Sequence, residues 1–590
     1  MSLLENAHDL NLEGNIFIQN NQNNGARAGI ERIEEFTLKQ AFRDSSDREI
    51  PRCFEGTRIA HREQIMGWAK GQWKSKKARV MWMDGPAGVG KSAVAQKWAD
   101  EMGKLLLSAA FFFSRANGWN QAIKLFPTIA YQLATKYDSY RAALDKAITR
   151  DPLVLEKSLD VQFEALIVQP ILESSLEDQN AMVDTVIVID GLDECGNLSE
   201  TLDSFETQVA IINVMTTYAA NSNSPFLWGV FSRPETHILN AFQEKPALDI
   251  TWRFTLPLKA PNADEDIKAY LQSAFETIRR RYPSIPPSWP TEESLTQVVG
   301  QADGLFIYVT SAVRYIEQNT GGSRLGPEER LQVLLKAGEG DRARLSKLDR
   351  LYLLIMDQIP EEILPSTLLI LVFGPLLPVM SSLLGFSQPV FDDAKSPLQS
   401  VLRDFHIRKY PTLRFFHTSF TDFLTDSTRS QARYHILTNE ICTQFYSACV
   451  DVLHRPLPLV LERHPLYSDF VSQEEKEIVV RQAVFNTLFD LPSRVDHYFR
   501  LPEHPDILEK MTQIDWNTQA RAYESYPVPS PSYLLQKIPW NWRSQIIRPR
   551  NVLYKAIGTT FGLTLGEEFV LGHGDKKALL NYYYGLKPYQ

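Results

Sequence analysis

The stretch GPAGVGKS, residues 85–92, limits the possible folds of this chain more than any other feature. It stands between the apolar run ARVMWMD and the helical segment GKSAVAQKWADEMGK. Gly85, Gly90, Lys91 and Ser92 fit the pattern GxxxxGK[ST], in which glycines let backbone N–H groups surround a phosphate at a helix N-terminus. Lys91 could reach the β- and γ-phosphates, and Ser92 could offer its hydroxyl oxygen to Mg²⁺. The alternative is a glycine-rich surface turn.

A second motif, TVIVIDGLDEC, supplies acidic residues at the end of another apolar run. Asp190 is placed to hold the Mg²⁺ of such a site, and Asp193 or Glu194 could orient or deprotonate an attacking water. The alternative is a solvated acidic strand end. Arg233 ends the run PFLWGVFSR, where the carboxyl edge of a sheet would let it read a γ-phosphate. The alternative for Arg233 is an exposed arginine before a proline.

The order of the apolar and amphipathic segments predicts the fold class. The runs ARVMWMD, LLLSAAFFFSR, TVIVIDG and PFLWGVFSR alternate with helical segments, which is typical of a parallel sheet sandwiched by helices. Beyond LPLKAP helical periods take over, and PTLRFFHTSFTDFLTD joins a short strand to a helix start. Residues 431–590 are expected to be mainly helical, without a recognisable repeat.

Composition excludes several classes of protein. A net charge of −9 over 590 residues argues against a nucleic-acid partner, which needs a clustered basic surface. The four cysteines, Cys53, Cys195, Cys442 and Cys449, show no disulfide framework or metal spacing, so a reducing compartment is expected. No secretory signal is expected at the N-terminus. Prolines interrupt the uncharged segment 363–391, which favours a buried helix, a turn and a second helix over membrane insertion.

The motifs GPAGVGKS, VIVIDGLDEC and FSRPETHI together resemble the NACHT-type STAND NTPases, particularly the NACHT-domain proteins of mushroom-forming fungi. The segments DSSDREIPRCFEGTR, LFPTIAYQLA, GLFIYVTSAVRYI and FFHTSFTDFLTD extend the resemblance over roughly residues 40–430. The resemblance implies an α/β P-loop NTPase followed by a helical domain, a winged-helix domain and a mainly helical C-terminal region. The implied boundaries are a weakly structured lead-in at 1–50, a nucleotide-binding domain at 51–255, a helical domain at 256–345, a winged-helix domain at 346–430 and the C-terminal region at 431–590.

The resemblance also implies a role for each matching residue. Asp190 corresponds to the Mg²⁺-linked aspartate, and Asp193 with Glu194 to the extended acidic pair. Arg233 corresponds to the arginine that ends the sensor strand, and His417 to the winged-helix histidine that approaches the β-phosphate of ADP. Thr57 and Arg58 lie where the upstream motif approaches the base. The implied phosphate loop comprises Gly85, Pro86, Ala87, Gly88, Val89, Gly90, Lys91 and Ser92, with Ala93 next to it.

The function implied by the resemblance is a cytoplasmic signalling switch of the kind used in innate immunity or in self and non-self recognition. In this scheme ADP closes the nucleotide domain onto the following domains, and exchange for ATP opens it for homo-oligomerisation, with slow hydrolysis. ATP is preferred over GTP because the chain has no NKxD motif. A protein partner or trigger is expected but cannot be named. The alternatives are a P-loop kinase or motor ATPase with continuous turnover, and a scaffold that binds nucleotide without hydrolysing it.

Overall fold

A computed structural model describes the chain from residue 29 to residue 447, with gaps. The described ranges are 29–45, 57–72, 78–196, 203–221, 224–257, 263–318, 325–339, 345–373, 388–407 and 410–436, with isolated positions beyond. The turn expected inside the uncharged segment, most of the lead-in, nearly all of the predicted C-terminal region and three of the cysteines (Cys53, Cys442 and Cys449) lie outside the described residues.

A five-stranded parallel sheet organises the first part of the chain. Its strands are β1 (Val80–Asp84), β2 (Leu107–Phe112), β3 (Val186–Asp190), β4 (Leu227–Ser232) and β5 (Thr251–Thr255), in the spatial order β2-β3-β4-β1-β5. Residues on β1, β3 and β4 are buried throughout, as expected for strands covered by helices on both faces. The sheet confirms the predicted α/β class, and the first four strands fall within the four predicted apolar runs.

Strand β5 was not predicted from the sequence. It pairs with β1 alone among the described strands, and its residues are half-buried or exposed, so it lacks the continuous apolar character of the other four. Arg253 on this strand donates to both carboxylate oxygens of Asp84, at 3.2 and 2.8 Å, and Thr255 donates to Asp84 at 2.7 Å. The buried carboxylate at the end of β1 is thereby neutralised by its edge neighbour.

Helices cover both faces of this sheet. They are α1 (Gly29–Phe36), α2 (Ile59–Ala69), α3 (Lys91–Leu106), α4 (Leu125–Lys136), α5 (Asp138–Arg150), α6 (Leu159–Phe163), α7 (Gln169–Glu173), α8 (Leu176–Met182), α9 (Ser204–Ala219), α10 (Thr236–Gln243) and α11 (Ala247–Ile250). Because side chains alternate along a strand, Trp82 packs with the α4 and α5 face, whereas Met81 and Met83 pack against Trp98 of α3.

The rest of the described chain is mainly helical. It comprises α12 (Ala263–Arg281), α13 (Glu292–Ala302), α14 (Phe306–Glu317), α15 (Pro327–Glu339), α16 (Lys347–Met356), α17 (Leu364–Phe373), α18 (Gln388–Lys395), the antiparallel strands β6 (Leu402–Ile407) and β7 (Tyr410–Phe415), α19 (Thr418–Thr425) and α20 (Ser427–Tyr434). Buried residues from these helices and from the hairpin form one continuous hydrophobic cluster. Within the described ranges, no helix is both long and apolar enough to cross a bilayer.

Strand β4 has a glycine where the sheet meets α3 most closely. A Cβ atom added at Gly229 would overlap the ring of Trp98, with Cη2 only 2.8 Å away, and Trp98 is fully buried. We therefore expect Gly229→Ala to lower the free energy of unfolding by about 1–3 kcal/mol, because overpacking forces a buried ring to move. Thermal unfolding would show this as a lower Tm.

Gly300→Ala is the matched control for this substitution. Gly300 lies on an exposed face of α13, and a Cβ atom there would meet nothing within 4 Å. Alanine has the higher helix propensity, so the Tm should stay the same or rise slightly. Equal effects of the two substitutions would contradict the close approach of β4 and α3.

Candidate functional site

The loop between β1 and α3 has the backbone shape that a phosphate loop requires. Gly88 and Gly90 adopt left-handed φ angles of 75° and 99°, which favour glycine. A Cβ atom at Gly85 would lie 2.6 Å from the carbonyl oxygen of Leu256. The α3 helix begins directly after Gly90, so its first N–H groups are directed along the axis towards this loop. The remaining predicted loop residues lie in the same turn and first helical turn: Pro86, Ala87, Val89, Ser92 and Ala93.

The Lys91 side chain folds back over the loop. Its Nζ donates to the carbonyl oxygens of Gly85 at 2.7 Å and Pro86 at 2.9 Å. Burial lowers the pKa of Lys91, and the nearby Asp193 carboxylate is the largest of the charges that oppose this shift. The ammonium group is therefore within electrostatic range of the acidic motif that follows β3.

Asp190 and Asp193 lie where β3 ends. Asp190 is the last residue of the strand and is 3% exposed, and Gly191, with φ of 72°, turns the chain into a single 3₁₀ turn. Asp193 in that turn accepts a hydrogen bond from the backbone N–H of Arg233 at 2.9 Å, and its other carboxylate oxygen forms an ion pair with the Arg233 Nε at 3.1 Å. The ends of β3 and β4 are thus joined by an ion pair at the carboxyl edge.

Glu194 is held from two sides. Its Oε2 accepts the backbone N–H of Arg115 at 2.9 Å, and its Oε1 accepts the hydroxyl of Thr418 in α19 at 3.2 Å. Burial and the negative charge of Asp193 raise the pKa of Glu194 to about 7. Because this pKa lies close to pH 7, the carboxyl group can either accept or donate a proton at that pH.

The arginines that follow β2 and β4 meet at one carboxylate of α19. Arg233 donates from its terminal nitrogen to Asp422 at 2.8 Å, and Arg115 donates to the other oxygen of Asp422 at 2.9 Å. Arg233 was predicted from the sequence, whereas Arg115 and Asp422 were not. A signal for Arg115 was present, because the dipeptide Ser-Arg occurs both at Ser114-Arg115, shortly after β2, and at Ser232-Arg233, where β4 ends.

His417 lies at the N-terminus of α19, near the same edge. Its Nδ1 accepts the backbone N–H of Ser419 at 3.0 Å, and the Ser419 hydroxyl contacts Tyr352 of α16 at 2.7 Å. Burial lowers the pKa of His417 to about 4, and the charge of Arg233 acts in the same direction. The imidazole is therefore neutral at pH 7, and because Nδ1 accepts, its proton is on Nε2.

The opposite side of the loop contacts Arg58 and α14. Arg58 donates a terminal nitrogen to the Val89 carbonyl at 3.3 Å, and its guanidinium lies 5.7 Å from the Phe306 ring centroid. The backbone N–H of Ile307 donates to the Gly88 carbonyl at 3.4 Å. Thr57 is buried next to Arg58. The structure thus brings all predicted site residues to one edge of the sheet and adds Phe306 and Ile307 to it.

These residues suit a nucleotide with Mg²⁺. Magnesium in proteins is usually bound through one or two carboxylates together with substrate phosphates and waters. Asp190 offers one buried carboxylate at the edge, and Ser92 lies in the first turn of the helix that follows the loop. Gly88, Gly90 and Lys91 provide the positive φ angles and the ammonium group that a phosphate chain requires. The donor set therefore fits Mg²⁺ with a phosphate chain.

Comparison with protein families gives a match in this region. The family model for the N-terminal region of nephrocystin 3 matches residues 56–233. No match was found among curated proteins. The matched stretch begins just before Thr57 and ends at Arg233, so it contains the loop, the acidic motif and Arg233 itself. It covers less than a third of the 590 residues and supports a nucleotide-binding α/β unit of this kind.

The raised pKa of Glu194 generates a prediction about stability. A folded-state pKa of about 7, above the usual 4.5, means that this carboxyl contributes stability below pH 4.5 and loses that contribution as the pH rises to about 7. Glu194→Gln carries no ionisable group. Its free energy of unfolding should therefore rise relative to the wild type by about 1–3 kcal/mol between pH 4.5 and pH 7.5.

Thermal unfolding across this pH range would measure the difference in Tm. Glu206→Gln is the control, because Glu206 is exposed in the first turn of α9 and glutamine can replace it in the capping box. Its Tm should follow the wild type at every pH. If the Tm of Glu194→Gln and that of the wild type change with pH in the same way, Glu194 does not have a raised pKa in the folded protein.

Proposed function

We propose that this chain is a nucleotide-operated signalling switch of the NACHT-type STAND class. In this proposal the loop from Gly85 to Ser92 binds the phosphates of ADP or ATP, and Asp190 with Ser92 holds Mg²⁺. Arg233 and His417 read the end of the phosphate chain. The buried strand end, the positive φ angles of the loop and the match to the nephrocystin 3 N-terminal region support nucleotide binding.

The switch is supported by contacts between distant segments of the chain and the carboxyl edge of the sheet, where the loop 85–92 and the acidic turn 192–194 lie. We call this edge the phosphate edge. Thr418 of α19 donates to Glu194, which is 224 residues earlier, and Ile307 of α14 donates to the loop at Gly88. A kinase or motor needs its phosphate edge open to an acceptor or to a moving track. Here the same edge is bonded to the second half of the described chain, so a change in the phosphates would change those contacts.

Slow hydrolysis is part of the proposal. Attack of a water on the γ-phosphate requires a group that orients it or accepts its proton, and Asp193 and Glu194 are the candidates. Asp193 is engaged by Arg233, and Glu194 by Arg115 and Thr418. Each of these contacts engages a carboxylate oxygen that could otherwise accept a hydrogen bond from the attacking water. Hydrolysis would then require the same conformational change that distinguishes the ADP state from the ATP state.

The proposal also specifies the nucleotide base, the role of the segment from α16 to α20, the location and the assembly of the protein. ATP is favoured over GTP, because no guanine-reading NKxD motif occurs. Thr57 and Arg58 would approach the base, and the contact of Arg58 with Val89 places this segment beside the loop. The segment from α16 to α20 would act as the winged-helix domain, and its hairpin followed by α19 supports this assignment. The cytoplasm is the proposed location, with assembly into homo-oligomers in the ATP state.

Removal of the Lys91 ammonium group should abolish tight nucleotide binding. Lys91→Ala removes a charge-assisted hydrogen bond donor to phosphate, so the Kd for ADP and for an ATP analogue should rise by about ten- to a hundred-fold. Isothermal titration calorimetry with Mg²⁺ would measure both values. Lys97→Ala, on the same helix and away from the loop, is the control and should keep the wild-type Kd. Equal affinity of Lys91→Ala and wild type would contradict phosphate binding here.

Exchange of ADP for a non-hydrolysable ATP analogue should change the assembly state. We expect the full chain to be monomeric with ADP and to form larger particles with the analogue, as measured by light scattering after size exclusion. A nucleotide that binds both conformations equally cannot shift their populations, so identical particles in both cases would refute the switch. A steady-state rate above about 1 s⁻¹ would favour the kinase or motor alternative. Full signalling by Lys91→Ala would instead favour a scaffold.

A further inference from the structure

One carboxylate joins the two arginines of the phosphate edge to the second half of the described chain. Each oxygen of Asp422 accepts from a different arginine, Arg115 at 2.9 Å and Arg233 at 2.8 Å. The arginines follow β2 and β4, whereas Asp422 lies in α19. We call this arrangement the Asp422 clasp. It is partly buried, because the side chains of Asp422 and Arg233 are 19% and 21% exposed.

We propose that Asp422 is an internal competitor of the terminal phosphate for Arg233, and that the clasp is the contact a triphosphate breaks. The proposal rests on the nucleotide switch described above and specifies how its site is regulated. With a diphosphate the Asp422 carboxylate remains the anion bound by both arginines. With a triphosphate the γ-phosphate takes Arg233, and α19 separates from the edge.

The hydrogen-bond geometry of Arg233 supports competition rather than sharing. Its Nε lies 3.1 Å from a carboxylate oxygen of Asp193 in an ion pair, and one terminal nitrogen donates to Asp422, so one side of the guanidinium fork faces two carboxylates. Bidentate recognition of a phosphate needs two parallel donors of that fork. A phosphate that takes the terminal nitrogen from Asp422 would also lie beside a carboxylate of like charge. Such repulsion is strong where water is partly excluded, so the two anions cannot both stay.

The neighbouring bonds make the clasp a suitable point of release. Asp422 and Thr418 lie four residues apart in α19, hence on one helix face, and both contact the edge. Thr418 bonds Glu194 through a neutral hydroxyl, which contributes less than a bond between two charged groups. Loss of the Asp422 ion pairs would therefore remove the charged contacts of α19 with the edge and leave the neutral bond of Thr418 and the apolar packing around Ala116. Release of α19 would also free Glu194 from Thr418.

The test measures the Kd of ADP and of a non-hydrolysable ATP analogue for the full chain with Mg²⁺. Asp422→Asn keeps the shape of the side chain and removes its charge, so the ratio of the ADP Kd to the analogue Kd should rise about tenfold over the wild type. Asp426→Asn is the matched control. Asp426 caps the next helix through Thr428, where asparagine caps equally well, and its ratio should remain that of the wild type.

A second variant keeps the proposal testable if Asp422→Asn fails to fold. Arg115→Gln acts on the other side of the clasp, and its side chain is half exposed, so folding should not depend on it. It should change the ratio in the same direction by a smaller factor. The double variant should change the Kd ratio no more than Asp422→Asn alone does, because Asp422→Asn already removes the ion pair with Arg115.

Hydrogen exchange of the α19 amides provides an independent readout. In the wild type these amides should exchange faster with the ATP analogue than with ADP. In Asp422→Asn fast exchange should already occur with ADP. If the wild type responds to the analogue but Asp422→Asn leaves both ratio and exchange unchanged, the clasp is refuted while the switch stands. If the wild type shows no difference between the nucleotides, the switch itself is refuted.

Discussion

The parallel arrangement of five strands is the constraint on which the rest of this structure depends. Parallel strands bring all their carboxyl ends to one edge, and the order β2-β3-β4-β1-β5 places β1 beside β4 and next but one to β3. The glycine-rich loop 85–92, the acidic turn 192–194 and Arg233 each follow one of these three strands. Residues separated by up to 148 positions, such as Gly85 and Arg233, therefore meet without any loop having to reach across the fold.

Charge neutrality at this edge decides which contacts form. Lys91, Arg115 and Arg233 face the carboxylates of Asp190, Asp193, Glu194 and Asp422 within a partly buried region. A buried charge without a partner costs several kcal/mol, so the side chains satisfy one another. The pKa of Glu194, about 7, also helps to balance the charges at this edge, because protonation of Glu194 removes one negative charge. In the proposed switch, a bound phosphate chain would bring negative charge into this balance, and a carboxylate would then have to release its arginine.

The sequence could predict those parts that depend on local pattern. The loop, Asp190, and the four buried strands are encoded in runs of neighbouring residues, where glycine spacing and continuous apolar character are direct signals. Long-range pairs have no such signal: Arg58 bonds Asp266 across 208 residues, and Arg115 bonds Asp422 across 307. Strand β5 was missed for another reason, since a half-exposed edge strand lacks the apolar run that marks a buried one.

A single hydrophobic cluster joins α14 and α19, which both contact the carboxyl edge of the sheet. Ile307 of α14 and Phe420 of α19 both belong to it, and Tyr352 of α16 packs on Phe420 with ring centroids 5.0 Å apart. Well-packed cores deform little, so α14 and α19 should move as one body. Loss of the contact at Asp422 would then also strain the contact of Ile307 with the loop. In the proposed switch, coupling of this kind would make the response to the phosphate cooperative, because release of one contact would strain the other.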